Sequence, residues 1–343
     1  MQEQTIFKNI IDAVKFVSPD SFSFDGKIFT ADANMYYQSN SRGKTTDPLV
    51  RLLTNVLYEQ CYCRTFKGKY YESIPVTKDN GMFQTTLSHA NSTIERWDRG
   101  WIIEQVLPTG QYVAYKNGKY KLLYPGEFIT AEFRAALPGE GTPITVQCLK
   151  ESFGLQPAFY FAFSNEPGDQ QNLFTVVRFY WNIRSTGASR LIELITKNLN
   201  KYYIPFSFKC LNNPVLFTRN DAAVLYVGKP YYRITAQILT FIYAQIKDEL
   251  NEEVPGFTKE LNPGLGLAED PGTGESFGMS RCDMIAQGIF NAHRSGSLGA
   301  EEIMYQINEV FDARGALLNK PFLNAGSKDI YESMGSLKFQ NGN

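Results

Sequence analysis

The residues of this chain best suited to chemistry are cations that alternate with apolar side chains. In TVVRFYWNIR, Thr175 to Arg184, the spacing predicts a β-strand. Side chains on a strand point alternately to opposite faces, so Val177, Phe179, Trp181 and Ile183 form one apolar face while Arg178, Tyr180, Asn182 and Arg184 share the other. IPFSFKCL repeats the pattern, with Ile204, Phe206, Phe208 and Cys210 set against Ser207 and Lys209. In TRNDAAVLYV the same parity places Arg219, Asp221, Ala223 and Leu225 on one face, unless a turn near Asn220 breaks the phase. Three successive strands thus carry one cation each. Paired in register, Arg178, Lys209 and Arg219 would converge on an anion; a second reading leaves each as a strand-end charge reaching solvent.

Farther on, LNPGLGLAEDPGTGESFGMSRCD, Leu261 to Asp283, lies between two helical patterns and has little apolar periodicity. Structureless stretches longer than about 12–15 residues are uncommon in compact domains unless functional or disordered. Gly264, Gly266, Gly272, Gly274 and Gly278 could bring backbone N–H groups close to a ligand, and Glu275, Ser276 and Arg281 add polar heads. The segment reads either as a substrate loop or as a flexible surface connection. SRGKTT contains Gly43-Lys44-Thr45, but Gln38 stands where a P-loop needs its first glycine. No mononucleotide site is supported there.

Composition bounds what such a site can serve. The chain has 343 residues, 43% apolar and 20% charged, so it can bury a sizeable core. Its 25 Phe and 20 Tyr favour a sheet-rich fold over a helical bundle. A formal net charge of −1 gives no bulk attraction to nucleic acid or an acidic membrane, so any anion site must be a local cluster. The N-terminal MQEQTIFKNIIDAVKF lacks the basic start and apolar block of a signal peptide, and no apolar run approaches the roughly 18 residues of a membrane span. Cys61, Cys63, Cys148, Cys210 and Cys282 are scattered, which suits free thiols in a reducing, cytoplasmic compartment, with the CYC pair read as buried and structural. His89 and His293 are too few for a His-rich zinc site, so a general acid or base falls to Lys, Tyr, Asp or Glu.

The elements that must position these groups can be sketched. Residues 5–17 and 47–65 read as helices, the second opening with Asp47 as N-cap and Pro48 at the first helical position. A hairpin turns at Asp25-Gly26, and TTLSHANSTIERWDRGW begins as a helix, so the front third is largely helical. From Gly100, GWIIEQVL, GQYVAYK, KYKLLYPGEFI, ITVQCLK and AFYFAFS predict an antiparallel meander that NEPGDQQN turns into the Arg178 strand. Helices follow at STGASRLIELITKNLN, capped by Ser185 or Thr186, and at 233–250, 281–294 and 300–313. The expectation is an α+β fold: an N-terminal helical region packed on a mixed, largely antiparallel sheet with flanking helices. Its regions are 1–95 for leader-peptide or partner binding, 96–323 for the phosphate-handling domain, and a loosely ordered tail over 324–343.

FYFAFSN, RFYWNI, IPFSFKCLN, TRNDAAVLYV and PGLGLAEDPGTGESFGMSRC together resemble the HopA family of bacterial type III effectors, and LSHANSTIERWDRGW extends the likeness to roughly residues 85–295. Relatives of that domain occur in class V lanthipeptide synthetases as the lyase subunit beside a separate kinase. The resemblance therefore implies elimination of phosphate from phosphoserine or phosphothreonine in a precursor peptide, giving dehydroalanine or dehydrobutyrine, with kinase and cyclase subunits as partners. A remoter likeness runs to the phosphothreonine lyases. Their Lys-x-His strand pattern falls on Arg178 and Tyr180, their base lysine on Lys209, and a phosphate-binding arginine on Arg219; Tyr180 departs from their histidine acid.

The implied reaction makes chemical demands that can be stated independently. A weakly acidic α-proton must be removed while charge on the enolate and the departing phosphate is stabilised. A lysine becomes a competent base when nearby cations and desolvation bring its pKa toward neutrality. On this reading Lys209 is the base, Tyr180 protonates or hydrogen-bonds the leaving oxygen, Arg178, Arg219 and Arg281 bind phosphate, and Glu275, Ser276, Asn182 and Asp221 surround the substrate. No metal, cofactor, nucleic acid or membrane is called for. The rival is an effector-like protein that binds phosphopeptide without eliminating phosphate.

Overall fold

The computed structural model describes residues 2–31, 47–72, 81–130, 137–166, 175–296 and 299–333. The Gly43-Lys44-Thr45 motif lies outside them. Helix α1 spans Gln2–Ala13, shorter than the 5–17 read from periodicity. Val14 to Ser18 instead form strand β1, because Val14 pairs with Phe24 and Phe16 with Phe22, and this contact overrides the helical pattern. Strands β2 (Ser21–Phe24) and β3 (Lys27–Thr30) turn at Asp25 (φ 50°) and Gly26 (φ 78°), as the Asp-Gly pair requires. The front third is therefore a three-stranded sheet with helices rather than helices alone.

Helix α2 (Pro48–Leu57) starts where Asp47 accepts a hydrogen bond from the Leu49 N–H at 2.9 Å. It widens into a π-helical turn over Tyr58–Tyr62. Helix α3 covers Gly81–Ala90. The predicted meander divides between two sheets. Strands β4 (Arg96–Val106), β5 (Tyr112–Lys116), β6 (Lys119–Leu123), β7 (Phe128–Thr130) and β8 (Pro143–Cys148) make a five-stranded sheet in the order β6-β5-β4-β8-β7. It has its own small core around Trp101, Ile103 and Val146.

The site rests on a seven-stranded sheet. Its strands are β9 (Glu151–Ser152), β10 (Phe159–Phe163), β11 (Val176–Trp181), β12 (Phe206–Leu211), β13 (Ala223–Gly228), β14 (Lys259–Asn262) and β15 (Leu265–Glu269), in the order β14-β15-β11-β13-β12-β10-β9. Every strand pairing among the described residues is antiparallel, so the fold is α+β with antiparallel rather than mixed sheets. Helix α4 (Ala188–Lys201) and helix α5 (Tyr232–Ile246) pack on one face, where Phe179 stacks on Tyr232 at 6.2 Å. Neither Ser185 nor Thr186 caps α4: a 3-10 turn over Ser185–Gly187 intervenes, and the Thr186 hydroxyl bonds Glu249 at 2.6 Å.

The opposite face lies under the π-helical turn and the start of helix α6 (Phe277–Arg294), which packs on α2 and on helix α7 (Ala300–Ala313). The beginning of the C-terminal tail is held rather than loose. Glu269 accepts hydrogen bonds from the Asn324 N–H at 2.8 Å and the Tyr331 hydroxyl at 2.6 Å, and Tyr331 is buried. No helix among the described residues is long and apolar enough to cross a membrane.

Candidate functional site

Register brings the strand cations together. Strand β13 lies between β11 and β12, opposing Tyr226 to both Arg178 and Ser207, and Val224 to both Tyr180 and Lys209. Directly paired residues share a face, so Arg178, Tyr180, Ser207, Lys209, Val224 and Tyr226 all point the same way. Two inter-strand spacings separate Tyr180 from Lys209, about 10 Å between Cα atoms. Arg219 arrives by another route. Residues 219–222 form a turn, and the parity read from TRNDAAVLYV fails there: Ala223 and Leu225 face away from Lys209, whereas the turn brings Arg219 back toward it.

Lys209 is buried, and its Nζ donates to Gln156 Oε1 at 3.1 Å while lying 4.2 Å from the centre of the Phe159 ring. It makes no ion pair among the described residues. Glu269 points to the other sheet face and bonds Lys229. Burial drives the Lys209 pKa down from 10.5 to about 8; Asp221 opposes this, and Arg178 and Arg219 add to it. A buried ammonium next to two guanidinium groups is thus poised near neutrality.

Both arginines carry a carboxylate. Arg178 donates through Nε, at 2.8 Å, and through Nη2 to Asp270 Oδ2, and through Nη2 also to the Glu275 carbonyl at 3.3 Å, with Tyr226 beneath its guanidinium at 5.2 Å. Arg219 donates through Nε and Nη2 to the two Asp221 oxygens at 2.8 and 2.9 Å, and through Nη2 to the Tyr58 hydroxyl at 3.0 Å. Burial alone would raise the Asp221 carboxyl; Arg219 and Lys209 more than offset that and hold it below the ordinary carboxylate range. In each guanidinium Nη1 makes no hydrogen bond among the described residues, leaving one N–H edge for an anion.

Tyr180 is buried beside Tyr62 and Phe277, each ring centroid 6.3 Å away. Its hydroxyl makes no well-formed hydrogen bond among the described residues, although Tyr62 and Arg178 lie close enough to act on it, so a ligand oxygen placed there would complete its bonding. Burial raises its pKa while Arg178 pulls the other way, so the hydroxyl stays a donor at neutral pH. The π-helical turn supplies both Tyr58 and Tyr62, and such turns are frequent at functional sites. Gly278 is needed for this packing: a Cβ there would lie 2.4 Å from the Tyr62 ring.

Several expected groups stay outside the cluster. Arg281 is buried in α6 and donates to the carbonyls of Pro321 at 2.6 Å and Leu323 at 3.0 Å, so it anchors the tail instead of reaching a phosphate. Burial lowers its pKa to about 10. Ser276 is the N-cap of α6, accepting from the Met279 N–H at 3.2 Å, and Glu275 meets the cluster through its carbonyl. Asn182 is fixed by Asn220, Asn251 and the Glu253 carbonyl. Of the predicted loop from 261 to 283, strands β14 and β15 and the start of α6 occupy most, leaving 270–276 as connection. Gln156, Tyr226 and Asp270 escaped the sequence reading; for Tyr226 the signal was present, since strand alternation sets it on the Val224 face. Among the described residues no cluster of three or more His, Cys, Asp or Glu is arranged to hold a metal.

A family model for the HopA1 effector protein family matches residues 151–323, from the first strand of the seven-stranded sheet to the anchored tail. Two solved structures are similar. One is the effector protein from Pseudomonas syringae pv. tomato strain DC3000, 19% identical with a TM-score of 0.40, the match covering 49% of this chain and 63% of that one. The other is the effector protein from Pseudomonas syringae pv. syringae strain 61, 14% identical with a TM-score of 0.39, covering 82% and 100%. This chain thus spans less than two thirds of the first structure's length. No curated protein matches.

Proposed function

The chain belongs to the HopA1 effector protein family, and from that premise and the lysine buried beside two arginines we propose that it is a phosphoserine/phosphothreonine lyase acting on a phosphorylated peptide. The observation that carries this reading is Lys209, desolvated, hydrogen-bonded to the neutral Gln156 amide rather than to a carboxylate, and brought to a pKa of about 8. As the neutral amine, Lys209 takes the α-proton of the phosphoresidue. The Cα–H electron pair becomes the second bond between Cα and Cβ, and the Cβ–O bond breaks with its electrons leaving on phosphate. Tyr180 lends its proton to the leaving oxygen and regains one from the Lys209 ammonium, so the products are a dehydroalanine or dehydrobutyrine residue and hydrogen phosphate. The unpaired Nη1 edges of Arg178 and Arg219 stabilise the charge that develops on the phosphate oxygens. In the setting implied by the sequence resemblance, a separate kinase supplies the phosphorylated precursor and a cyclase consumes the dehydro residue.

One observation favours a second reading. Asp270 and Asp221 already occupy two donors of each arginine, an arrangement suited to holding phosphate without supplying the full charge an elimination demands. The experiment is incubation of the protein with a degenerate peptide library centred on phosphoserine or phosphothreonine, read by mass spectrometry. Loss of phosphoric acid from library members supports the lyase. Saturable binding with the phosphate retained supports the phosphopeptide-binding, effector-like reading.

A further inference from the structure

We infer that the cleft between the two large sheets holds the part of the peptide that flanks the phosphoresidue, and that it selects an apolar side chain two to four residues away. The inference rests on the lyase reading for the position of the phosphate, and on separate geometry for the cleft. A cleft of about 490 Å³ opens between the seven-stranded sheet, through Phe163, Ser207 and Tyr226, and the five-stranded sheet, through Lys119, Lys121 and Gln147. That volume lies within the range of about 300–1,000 Å³ typical of ligand sites.

Register ties the cleft to the cation cluster. Ser207 and Tyr226 face each other across β12 and β13, Phe163 pairs with Ser207 on the other side, and this row shares the face of Lys209 one side-chain step along the strands. Tyr226 belongs to both places: its ring lies 5.2 Å from the Arg178 guanidinium and also lines the cleft. The loop before β10 makes the same join, since Leu155 lines the cleft and its neighbour Gln156 holds Lys209. With about 3.3 Å per residue along a strand, the Ser207 row lies about 7 Å from Lys209 and the next row, at Val176 and Gly228, about 13 Å. An extended peptide anchored by its phosphate would reach these rows with its second to fourth flanking residues.

Charge and exposure define the occupant. Lys119 and Lys121 are balanced by Glu127 and Glu166 in the lining, with Lys119 and Glu166 paired at 3.4 Å, so the cleft adds no net attraction for a further anion. Leu155, 63% exposed, and Leu149, 45% exposed, offer apolar surface at its wall. The fit is an apolar side chain on a neutral peptide flank, distinct from the cationic centre that takes the phosphate.

The test replaces Leu155 with the photo-crosslinking amino acid p-benzoylphenylalanine, with Tyr305, exposed on α7, as the control position. The probe is the same degenerate phosphopeptide library, and both crosslinking and phosphate loss are read by mass spectrometry. The expected result is crosslinking from position 155 but not 305, enriched in peptides with an apolar residue two to four positions to one side of the phosphoresidue. Elimination without crosslinking at 155, or crosslinking with no flank preference, overturns the cleft assignment and leaves the lyase standing. Selective crosslinking without elimination supports the cleft and removes the lyase. Failure of both overturns both.

Discussion

The two faces of the seven-stranded sheet share one backbone and one set of hydrogen bonds, yet bury opposite chemistries. Toward α4 and α5 the sheet presents Phe179, Trp181, Phe208 and Leu225, all fully buried in an apolar core. Toward the π-helical turn and α6 it presents Arg178, Tyr180, Lys209 and Tyr226. An apolar face is accounted for by the hydrophobic effect. A desolvated lysine whose nearest carboxylate, Asp221, is already forked by Arg219 costs the fold stability, so a role in the site is what accounts for its presence. The difference separates the face that folds the sheet from the face that acts.

The sharpest way to break this comparison is Lys209→Ala. If the polar face is the reactive one, elimination should fall by about 10²–10⁴-fold, the usual effect of losing a general base, while phosphopeptide binding persists. Single-turnover mass spectrometry and anisotropy on the same variant provide the two readings. Full retained activity removes Lys209 from the mechanism; binding lost in proportion to activity makes it a phosphate ligand instead.

Its counterpart is Phe208→Ala, one residue away on the apolar face. The fold should lose about 3–5 kcal/mol in urea denaturation, as for other buried Phe truncations. The elimination rate per folded molecule, measured at low temperature, should hardly change. A catalytic defect as large as that of Lys209→Ala would mean that the two faces are not separable.

Much of this division was legible in the sequence, because strand alternation has a period of two and fixes which residues share a face. Alternation sets Tyr180 on the face of Arg178 and sets Lys209 opposite apolar neighbours on its own strand; only the strand pairing brings the two strands' polar faces together. What alternation cannot supply is strand order or the geometry of turns. Insertion of β13 between β11 and β12 makes Tyr226 a wall of the site, and no local pattern encodes that neighbourhood. Arg219 fell on the correct side only because a turn reversed its phase. The partners that hold Arg281 away from the cluster are hidden for a related reason: the carbonyls of Pro321 and Leu323 lie 40 and 42 residues away in sequence. The glycines from 264 to 278 read as a loop, although Gly266 sits within a central strand and Gly278 within a helix against Tyr62.

Lys209→Met sharpens the comparison by giving the polar face an apolar residue of similar length. The folded pKa of Lys209, about 8, lies below its ordinary 10.5, so the native state binds fewer protons than the unfolded chain between those values. The destabilisation is therefore fully present below pH 8 and is relieved as pH rises toward 10.5. Lys209→Met should exceed the parent protein in stability at pH 7 by on the order of 1–3 kcal/mol, the gap narrowing above pH 8. Elimination by the parent protein should rise with pH through the same region, as the amine loses its proton. A stability gap independent of pH between 7 and 10 means that Lys209 is not held desolvated.

The smallest expected effect distinguishes two arginines that look alike in the sequence. Arg219 meets Asp221 in a fork and keeps an Nη1 edge unbonded, whereas Arg281 spends its donors on backbone carbonyls and on Ser280 and Asn324. Lysine keeps the charge but loses the planar fork, so it can replace neither geometry. Arg219→Lys should weaken phosphopeptide affinity about tenfold, roughly 1.4 kcal/mol, and should also lower stability, because the buried Asp221 loses its fork. Arg281→Lys should lower the denaturation midpoint alone as the contacts to the tail are lost, while the folded fraction binds phosphopeptide as the parent protein does. Anisotropy titrations below each variant's melting transition separate the two. Equal losses of affinity would place Arg281 back in the phosphate site and require the tail to release it when substrate binds; an unchanged affinity in Arg219→Lys would reduce the anion site to Arg178 and Lys209.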